Sequence, residues 1–253
     1  SEARGTTQWL PYWANGMVPL AGLVRAAGAQ ARLDPSLKLL ENVDSTVAYV
    51  LAHRNRTGGW IGPYMNEPGD VDGHGLWDPL NMLRALIAHA QMHTELEKEV
   101  ASAVVAHLTA EHTLLRDGDP VTSWSFARWP TFVELCQYVM DEFVPVYGDD
   151  ASVMPLGREA TVSLLLNASA VFSSKGLDWG AYYHRTAPQK FPKGSIATWN
   201  IIDHGVNNAE GAMRAPSVAF RCSGTKGDRD EMNYTLAMLD KYQGQVQSLF
   251  CAA

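Results

Sequence analysis

The stretch LLENVDSTVAYVLAHRN, residues 39–55, decides the fold class of this chain. In a helical conformation, one face of this stretch carries the apolar side chains of Leu40, Val43, Val47, Val50 and Leu51. Because 3.6 residues complete a helical turn, this spacing predicts an amphipathic helix that packs its apolar face against another element.

The same periodicity recurs along the chain and predicts a mostly helical protein. Further helices are expected over residues 9–28, 79–93, 95–115, 129–143, 158–174, 200–220 and 229–250. Gly16 and Pro19 are expected to break the first of these helices. No alternating β-pattern of useful length and no hairpin signal is present. Helices of about 15 residues, joined by loops of uneven length, predict an all-α fold of stacked antiparallel helix pairs.

Composition and charge exclude several classes of protein. A chain of 253 residues with 46% hydrophobic residues is sufficient for one large domain or two small ones. The net charge of −7 and the lack of a basic stripe argue against a nucleic-acid partner. No apolar run reaches the roughly 20 residues of a membrane span. The N-terminus lacks the pattern of a signal peptide, as it also would after removal of a leader.

Cysteines and glycosylation sequons bear on the compartment. Cys136, Cys222 and Cys251 lie too far apart for a CxxC metal pattern, and the first two are expected to be buried core thiols. Three Asn-x-Ser/Thr sequons favour a secreted chain. They begin at Asn55 in a turn-rich segment, at Asn167 in an apolar run where burial is expected, and at Asn233.

The loops are unusually aromatic. Trp60, Tyr64 and Trp77 lie within residues 57–79, and other loops carry Trp124, Trp129, Trp179, Tyr182, Tyr183 and Trp199. Aromatic faces stack on the C–H faces of sugar rings, and neighbouring polar groups bind the hydroxyls. Carbohydrate binding is one interpretation. The other is that these rings plug the ends of the helix pairs.

No catalytic signature stands out. The segment DVDGHGLWD, residues 70–78, resembles the start of a calcium loop but lacks the later liganding Glu, which favours a solvated acidic loop. His89 and His93 have the i,i+4 spacing of a metal pair, although surface or core histidines are more usual and HExxH is absent. A glycosidase needs two carboxyl groups, and no spacing selects a pair among Asp78, Glu134, Asp141, Glu142 and Glu210.

Four blocks together resemble glycoside hydrolase family 127, the β-L-arabinofuranosidase-like group. They are RGTTQWLPYWANGMVPLAGLV (4–24), GWIGP (59–63), WDPLNMLRALIAH (77–89) and HGVNNAEGAMRAPSVAFRCSG (204–224). The resemblance covers nearly the whole chain and implies an (α/α)6-barrel catalytic domain followed by β-sandwich domains. It also implies a retaining glycosidase with a zinc-held Cys nucleophile and a Glu acid/base, because zinc makes thiolate available near neutral pH.

The resemblance also implies a sugar pocket. The family has a pocket-lining His at the counterpart of His204, and we expect six residues to face the sugar: Trp60, Asp78, Asn81, Trp199, His204 and Asn207. For Asp78 and Asn81 the alternative is N-capping of a helix that begins near Pro79. No catalytic residue and no metal ligand of this chain is assigned.

The family's Glu-Thr-Cys ligand block, acid/base Glu and nucleophile Cys have no counterpart before Ala253. The sequence predicts seven or eight helices, whereas a six-pair barrel needs about twelve. We therefore predict that residues 1–253 form the N-terminal part of such a barrel, as one domain. Another chain or domain would complete the barrel. Zinc is expected only if the downstream Glu-x-Cys and Cys block is present.

Two function hypotheses follow. The first is a secreted or extracellular, glycosylated, glycosidase-like protein in which this chain supplies a sugar-pocket wall, with the endomembrane lumen as the alternative location. The second is a non-catalytic carbohydrate-binding or structural component of an extracellular assembly, because a fold does not dictate a function. An intracellular helical-repeat adaptor is less compatible with so many aromatic residues in loops.

Overall fold

The chain is helical, and the described residues contain no β-strand, which confirms the all-α prediction. A computed structural model describes residues 2–32, 34, 37–61, 74–116, 123–184, 211 and 213–243. Its α-helices are α1 (Glu2–Ala26), α2 (Leu39–His53), α3 (His74–Ala90), α4 (Glu97–Arg116), α5 (Ser123–Tyr138), α6 (Val144–Tyr147), α7 (Arg158–Lys175), α8 (Trp179–His184), α9 (Arg214–Ser223) and α10 (Lys226–Gln243). Short 3-10 helices span Gln30–Arg32 and Thr94–Leu96, and a π-helix spans Val139–Phe143. The barrel arrangement remains a prediction.

The first helix is continuous, and the predicted break at Gly16 and Pro19 is wrong. Pro11 and Pro19 both lie inside α1. An interior proline removes one helical hydrogen bond and crowds the preceding turn. The helix nevertheless buries Ala14, Val18 and Ala21 at helical spacing, and α1 packs along α3. We attribute its continuity to this tertiary packing, which sequence propensity does not include.

The third helix begins earlier than the sequence predicts. It starts at His74, so Pro79 lies inside it. Asp78 and Asn81 therefore occupy interior helical positions, and N-capping of a helix that begins near Pro79 does not account for them. The misplaced boundary arose because proline is most common in the first turn of a helix, whereas here it lies one turn further in.

The structure divides into two compact units. The first comprises Ser1–Pro120 and Leu135–Ser169, and the second comprises Val121–Glu134 and Ala170–Ala253. In the first unit, α1 packs on α2 and α3, and α4 packs on α2 and α3. The fully buried side chains at its centre include Leu80, Leu83, Leu86, Leu108 and Leu165.

The second unit is organised around Trp179. This residue is buried with Ala127 and Ala215, and its Nε1 donates a hydrogen bond of 2.8 Å to the carbonyl oxygen of Ala127. A Cβ atom at Gly211 would lie 2.2 Å from the Trp179 ring, so only glycine fits there. Trp179 is therefore a core residue. This agrees with the interpretation that some of the aromatic rings plug the ends of helix pairs.

Within the described residues, the other predicted boundaries agree to within a few residues, with one extension and two partly described helices. The helix expected over 229–250 begins at Lys226, and its residues 244–250 lie outside the described residues. The helix expected over 129–143 begins at Ser123 and continues through the π-helix. Of the helix expected over 200–220, residues 200–210 and 212 lie outside the described residues, and α9 accounts for the rest. None of the described helices has the length and apolarity needed to cross a membrane.

Two burial predictions are wrong. Cys136 is buried as expected, but Cys222 is exposed. Cys222 shares a helical face with Ala215 and Val218, and the buried part of that face ends before the last turn of α9. Asn167 is exposed as well, because α7 buries Thr161, Leu165 and Ala168 on its opposite side. Cys251 lies outside the described residues.

Candidate functional site

The aromatic loop starts from a closed turn over residues 55–61. The backbone N–H of Asn55 donates to the carbonyl oxygen of Trp60 at 2.9 Å. The Asn55 side-chain Oδ1 accepts from the backbone N–H groups of Thr57 at 3.1 Å and Gly58 at 2.8 Å. An Asn side chain that binds the backbone two and three residues ahead defines a tight turn. These hydrogen bonds fix the backbone of the turn that carries Trp60, the first aromatic residue of the loop.

Gly59 allows this turn to pack closely against α4. Its φ is +78°, and a Cβ atom there would lie 2.6 Å from the carbonyl oxygen of Ala106. Both the left-handed backbone and the close approach require glycine. The turn thus rests directly on the backbone of α4.

Trp60 and Ile61 are held by a buried histidine. Trp60 is 9% exposed, and its ring meets the His107 imidazole edge-on with centroids 5.0 Å apart. The backbone N–H of Ile61 donates to His107 Nδ1 at 3.1 Å. Since Nδ1 accepts, the His107 proton is on Nε2, which donates to Glu111 Oε1 at 3.1 Å. An unbroken series of hydrogen bonds therefore runs from the turn through His107 to Glu111 on α4.

The carboxyl group of Glu111 lies in an unusual environment. Glu111 and His107 are both fully buried, and Glu111 Oε2 has no hydrogen-bond partner among the described residues. Burial raises the pKa of Glu111, and the hydrogen bond from His107 opposes this only in part. A carboxyl group that burial stabilises in its neutral form is therefore linked to the turn through His107.

Cys136 is not suited to act as a nucleophile. It is fully buried, and burial raises its pKa well above the usual range of a thiol. Glu134 and Cys136 form the only Glu-x-Cys spacing in the sequence, but both lie on helix α5. Residues two apart on a helix do not face each other. Glu134 instead pairs with Arg214 at 2.6 Å.

A second polar cluster forms around Asp44. Arg25 lies at the end of α1, Asp44 in α2, His89 in α3 and His93 just after α3. Arg25 Nη2 donates to Asp44 Oδ2 at 2.5 Å, and His89 Nε2 lies 3.0 Å from Asp44 Oδ1. Burial raises the pKa of Asp44, but the bonds from Arg25 and His89 outweigh it and the net shift is downward.

The i,i+4 spacing was the only sequence signal for this second cluster. It identified His89 and His93 as a pair. Asp44 and Arg25 come from other helices, and no local pattern could have associated them with the histidines.

Only three of the six residues predicted to face the sugar lie among the described residues. Trp60 is buried as described above, and Asn81 is 2% exposed on α3, with its Nδ2 unpartnered among the described residues. Asp78 lies in α3. Trp199, His204 and Asn207 lie outside the described residues, as does Glu210. The roles predicted for all six residues remain predictions.

Comparisons of this chain with models of protein families, with curated proteins and with solved structures found no match.

Proposed function

We propose that this chain forms a carbohydrate-binding wall in a glycosidase-like protein of the β-L-arabinofuranosidase class. The observation that carries the proposal is the attachment of the 55–61 turn to α4 through Gly59 and His107. This turn opens one of the sequence blocks that resemble the family, and it leads directly into the aromatic loop.

A binding wall must hold its contacting groups in fixed positions. Side chains on a loop hold a binding geometry only if the loop is anchored to a rigid element, because sites supported by helices or strands are more precise than sites on free loops. Trp60 is 9% exposed and His107 is fully buried. We therefore assign Trp60 mainly to holding the turn, with any sugar contact limited to its small exposed part. Residues beyond Ile61 would supply most of the aromatic surface.

Asn81 supplies a second supporting observation. Its Nδ2 is a buried donor without an acceptor among the described residues, and a buried donor left unpaired is costly. A sugar hydroxyl is an acceptor of suitable chemistry, and because Nδ2 is buried, a sugar would reach it only if the side chains that cover Asn81 move. Asn81 lies on α3, the helix that follows the aromatic loop.

The hydrolytic step is proposed only for a polypeptide that carries the zinc and cysteine block of the resembled family. In that case the reaction would proceed by double displacement at a non-reducing terminal furanoside. We further propose that such a protein works in a secreted or extracellular setting, since the exposed Asn55 and Asn233 are available as glycosylation sites.

The test is calorimetric titration of the protein with methyl β-L-arabinofuranoside. We expect binding by the wild type, clear weakening in His204→Ala, and no change in His53→Ala, which removes an exposed histidine of α2. His204→Ala should leave the melting temperature nearly unchanged. Unchanged binding together with a sharp fall in melting temperature would show that His204 is a structural brace and would remove it from the pocket.

A turnover assay separates the two function hypotheses. Release of 4-nitrophenol from its β-L-arabinofuranoside, with stoichiometric zinc, would support the enzyme. Sugar binding without turnover by the complete native polypeptide would support a carbohydrate-binding component instead. Absence of binding to furanosides and to other plant or bacterial oligosaccharides would refute the sugar-wall proposal.

A further inference from the structure

The cluster around Asp44 has the composition of a metal site rather than of an ordinary surface ion pair. We propose that Asp44, His89 and His93 bind a zinc-type divalent cation, and that the Arg25 guanidinium holds the site when no ion is bound. This proposal does not depend on the sugar-binding proposal, because none of its residues is assigned to the sugar pocket.

The spacing of the ligand atoms fits a small ion. One ligand atom from each of the three residues lies within 4.8 Å of the other two. Asp44 Oδ1 is 3.0 Å from His89 Nε2 and 3.9 Å from His93 Nε2. Tetrahedral zinc with ligand bonds of about 2.0–2.2 Å places its ligands roughly 3.4 Å apart. The two measured spacings lie on either side of that value, so small side-chain adjustments would complete the geometry.

The tautomer of His93 already suits a metal ligand. Arg25 Nη1 lies 2.9 Å from His93 Nε2, and because a guanidinium can only donate, Nε2 must present its lone pair. The other ring nitrogen, Nδ1, carries the proton and donates to Glu95 Oε1 at 3.2 Å. Metal-bound histidines usually donate their second nitrogen to a carboxylate or carbonyl in this way.

His89 is held firmly in position but must change tautomer. It is 2% exposed, and its ring stacks on His93 with centroids 4.3 Å apart and planes 15° apart. Its Nε2–H now donates to Asp44, while its buried Nδ1 has no partner among the described residues. Binding through Nε2 moves this proton to Nδ1, so no net proton is released at His89.

Arg25 and the ion compete for His93 Nε2 and for the Asp44 carboxylate, which Arg25 binds through Oδ2 and which the ion would bind through Oδ1. The guanidinium bonds both Asp44 and His93, which are two of the three proposed ligands. A divalent ion beside this guanidinium would be repelled by its charge, so binding requires Arg25 to withdraw. At 24% side-chain exposure, Arg25 has solvent into which it can move. The structure therefore predicts that removing Arg25 strengthens the binding of metal.

The experiment measures Zn²⁺ and Co²⁺ binding by calorimetry and visible absorption in four proteins. These are the wild type, Arg25→Met, Arg25→Met with His93→Ala, and Arg25→Met with His53→Ala. His53 is the matched control, because it lies on α2 about 13 Å along the helix axis from Asp44. Circular dichroism establishes that each variant is folded.

We expect Arg25→Met to bind one Zn²⁺ at least about tenfold more tightly than the wild type. Adding His93→Ala should reverse this gain, and adding His53→Ala should not. Zinc should also raise the melting temperature of Arg25→Met more than that of its His93→Ala derivative. Equal affinity in the wild type and Arg25→Met, or in Arg25→Met with and without His93, would overturn the proposal.

A second measurement covers the case in which Arg25→Met does not fold. Co²⁺ would then be titrated into the wild type and into His93→Ala, both of which keep Arg25. A tetrahedral Co²⁺ spectrum that appears in the wild type and is lost in His93→Ala would support the site. Identical titrations of the two proteins would overturn it.

Discussion

His107 Nδ1 accepts a hydrogen bond of 3.1 Å from the backbone N–H of Ile61, across 46 residues of sequence. This bond fixes the His107 tautomer and directs its Nε2 proton to Glu111. A single buried imidazole thereby connects the aromatic loop to the interior of α4.

Replacing Gly59 by alanine should destabilise the first unit through two separate effects. Its left-handed backbone costs a non-glycine residue about 1–2 kcal/mol, and the new Cβ would lie 2.6 Å from the Ala106 carbonyl oxygen. The matched control is Gly28→Ala, where φ is also positive but no atom lies within 4 Å. Denaturant unfolding should show a loss in Gly59→Ala that exceeds the control by at least about 1 kcal/mol. Equal losses would contradict the close approach.

Replacing Glu111 by glutamine should change how stability depends on pH. Burial raises the Glu111 pKa in the folded state above its ordinary value of 4.5, so the unfolded chain releases this proton first as the pH rises. The stabilising contribution of Glu111 is therefore complete below pH 4.5 and is lost as the pH rises through the folded-state pKa. Each unit of pKa shift corresponds to about 1.4 kcal/mol.

The measurement is the free energy of unfolding of both proteins between pH 4 and pH 8. Contributions from the other carboxyl groups cancel in the difference between the two curves. The wild type should lose stability relative to Glu111→Gln as the pH rises. Parallel curves would show that Glu111 ionises as easily in the folded state as in the unfolded chain.

Two cysteines should differ sharply in reactivity toward a thiol reagent. In a Cys251→Ser background, exposed Cys222 should react in the native protein, whereas Cys136 should react only after unfolding. Burial both blocks access to Cys136 and raises its pKa, which lowers its thiolate fraction. Peptide mapping after labelling assigns the modified residue. Rapid labelling of native Cys136 would mean that the packing around α5 opens readily.

Production in a eukaryotic secretory host should add a glycan at Asn55. The residue is exposed at a turn, and Thr57 completes its sequon. Thr57→Ala removes the sequon while it keeps the Asn55 side chain and the backbone groups that it binds. Intact mass before and after enzymatic deglycosylation should show one fewer glycan in Thr57→Ala. An unchanged glycan count would exclude Asn55 as an occupied site and leave the exposed Asn167 and Asn233 as the alternatives.

Local periodicity was enough to predict the type and approximate extent of most helices. In α2 the predicted face contains Val43, Val47 and Leu51, and these are the residues that the structure buries. Periodicity succeeds here because positions on one face of a helix recur every 3.6 residues, and the apolar residues of the sequence recur with the same period. The exposed Asn167 shows one limit, since an apolar neighbourhood in sequence does not specify which side of a helix is covered. The exposed Cys222 shows another, since helical spacing does not specify where along a helix the covering element ends.

By itself, then, the sequence determined the all-α class, most helix positions and the i,i+4 spacing of His89 and His93. Tertiary structure decided that α1 continues past Pro19, because packing of α1 on α3 outweighs local propensity. It also decided which residues join the two histidines. Asp44 is 45 residues from His89, and Arg25 is 68 residues from His93. Contacts at such separations leave no periodic signal, because they depend on how three helices pack rather than on the turn of any one helix.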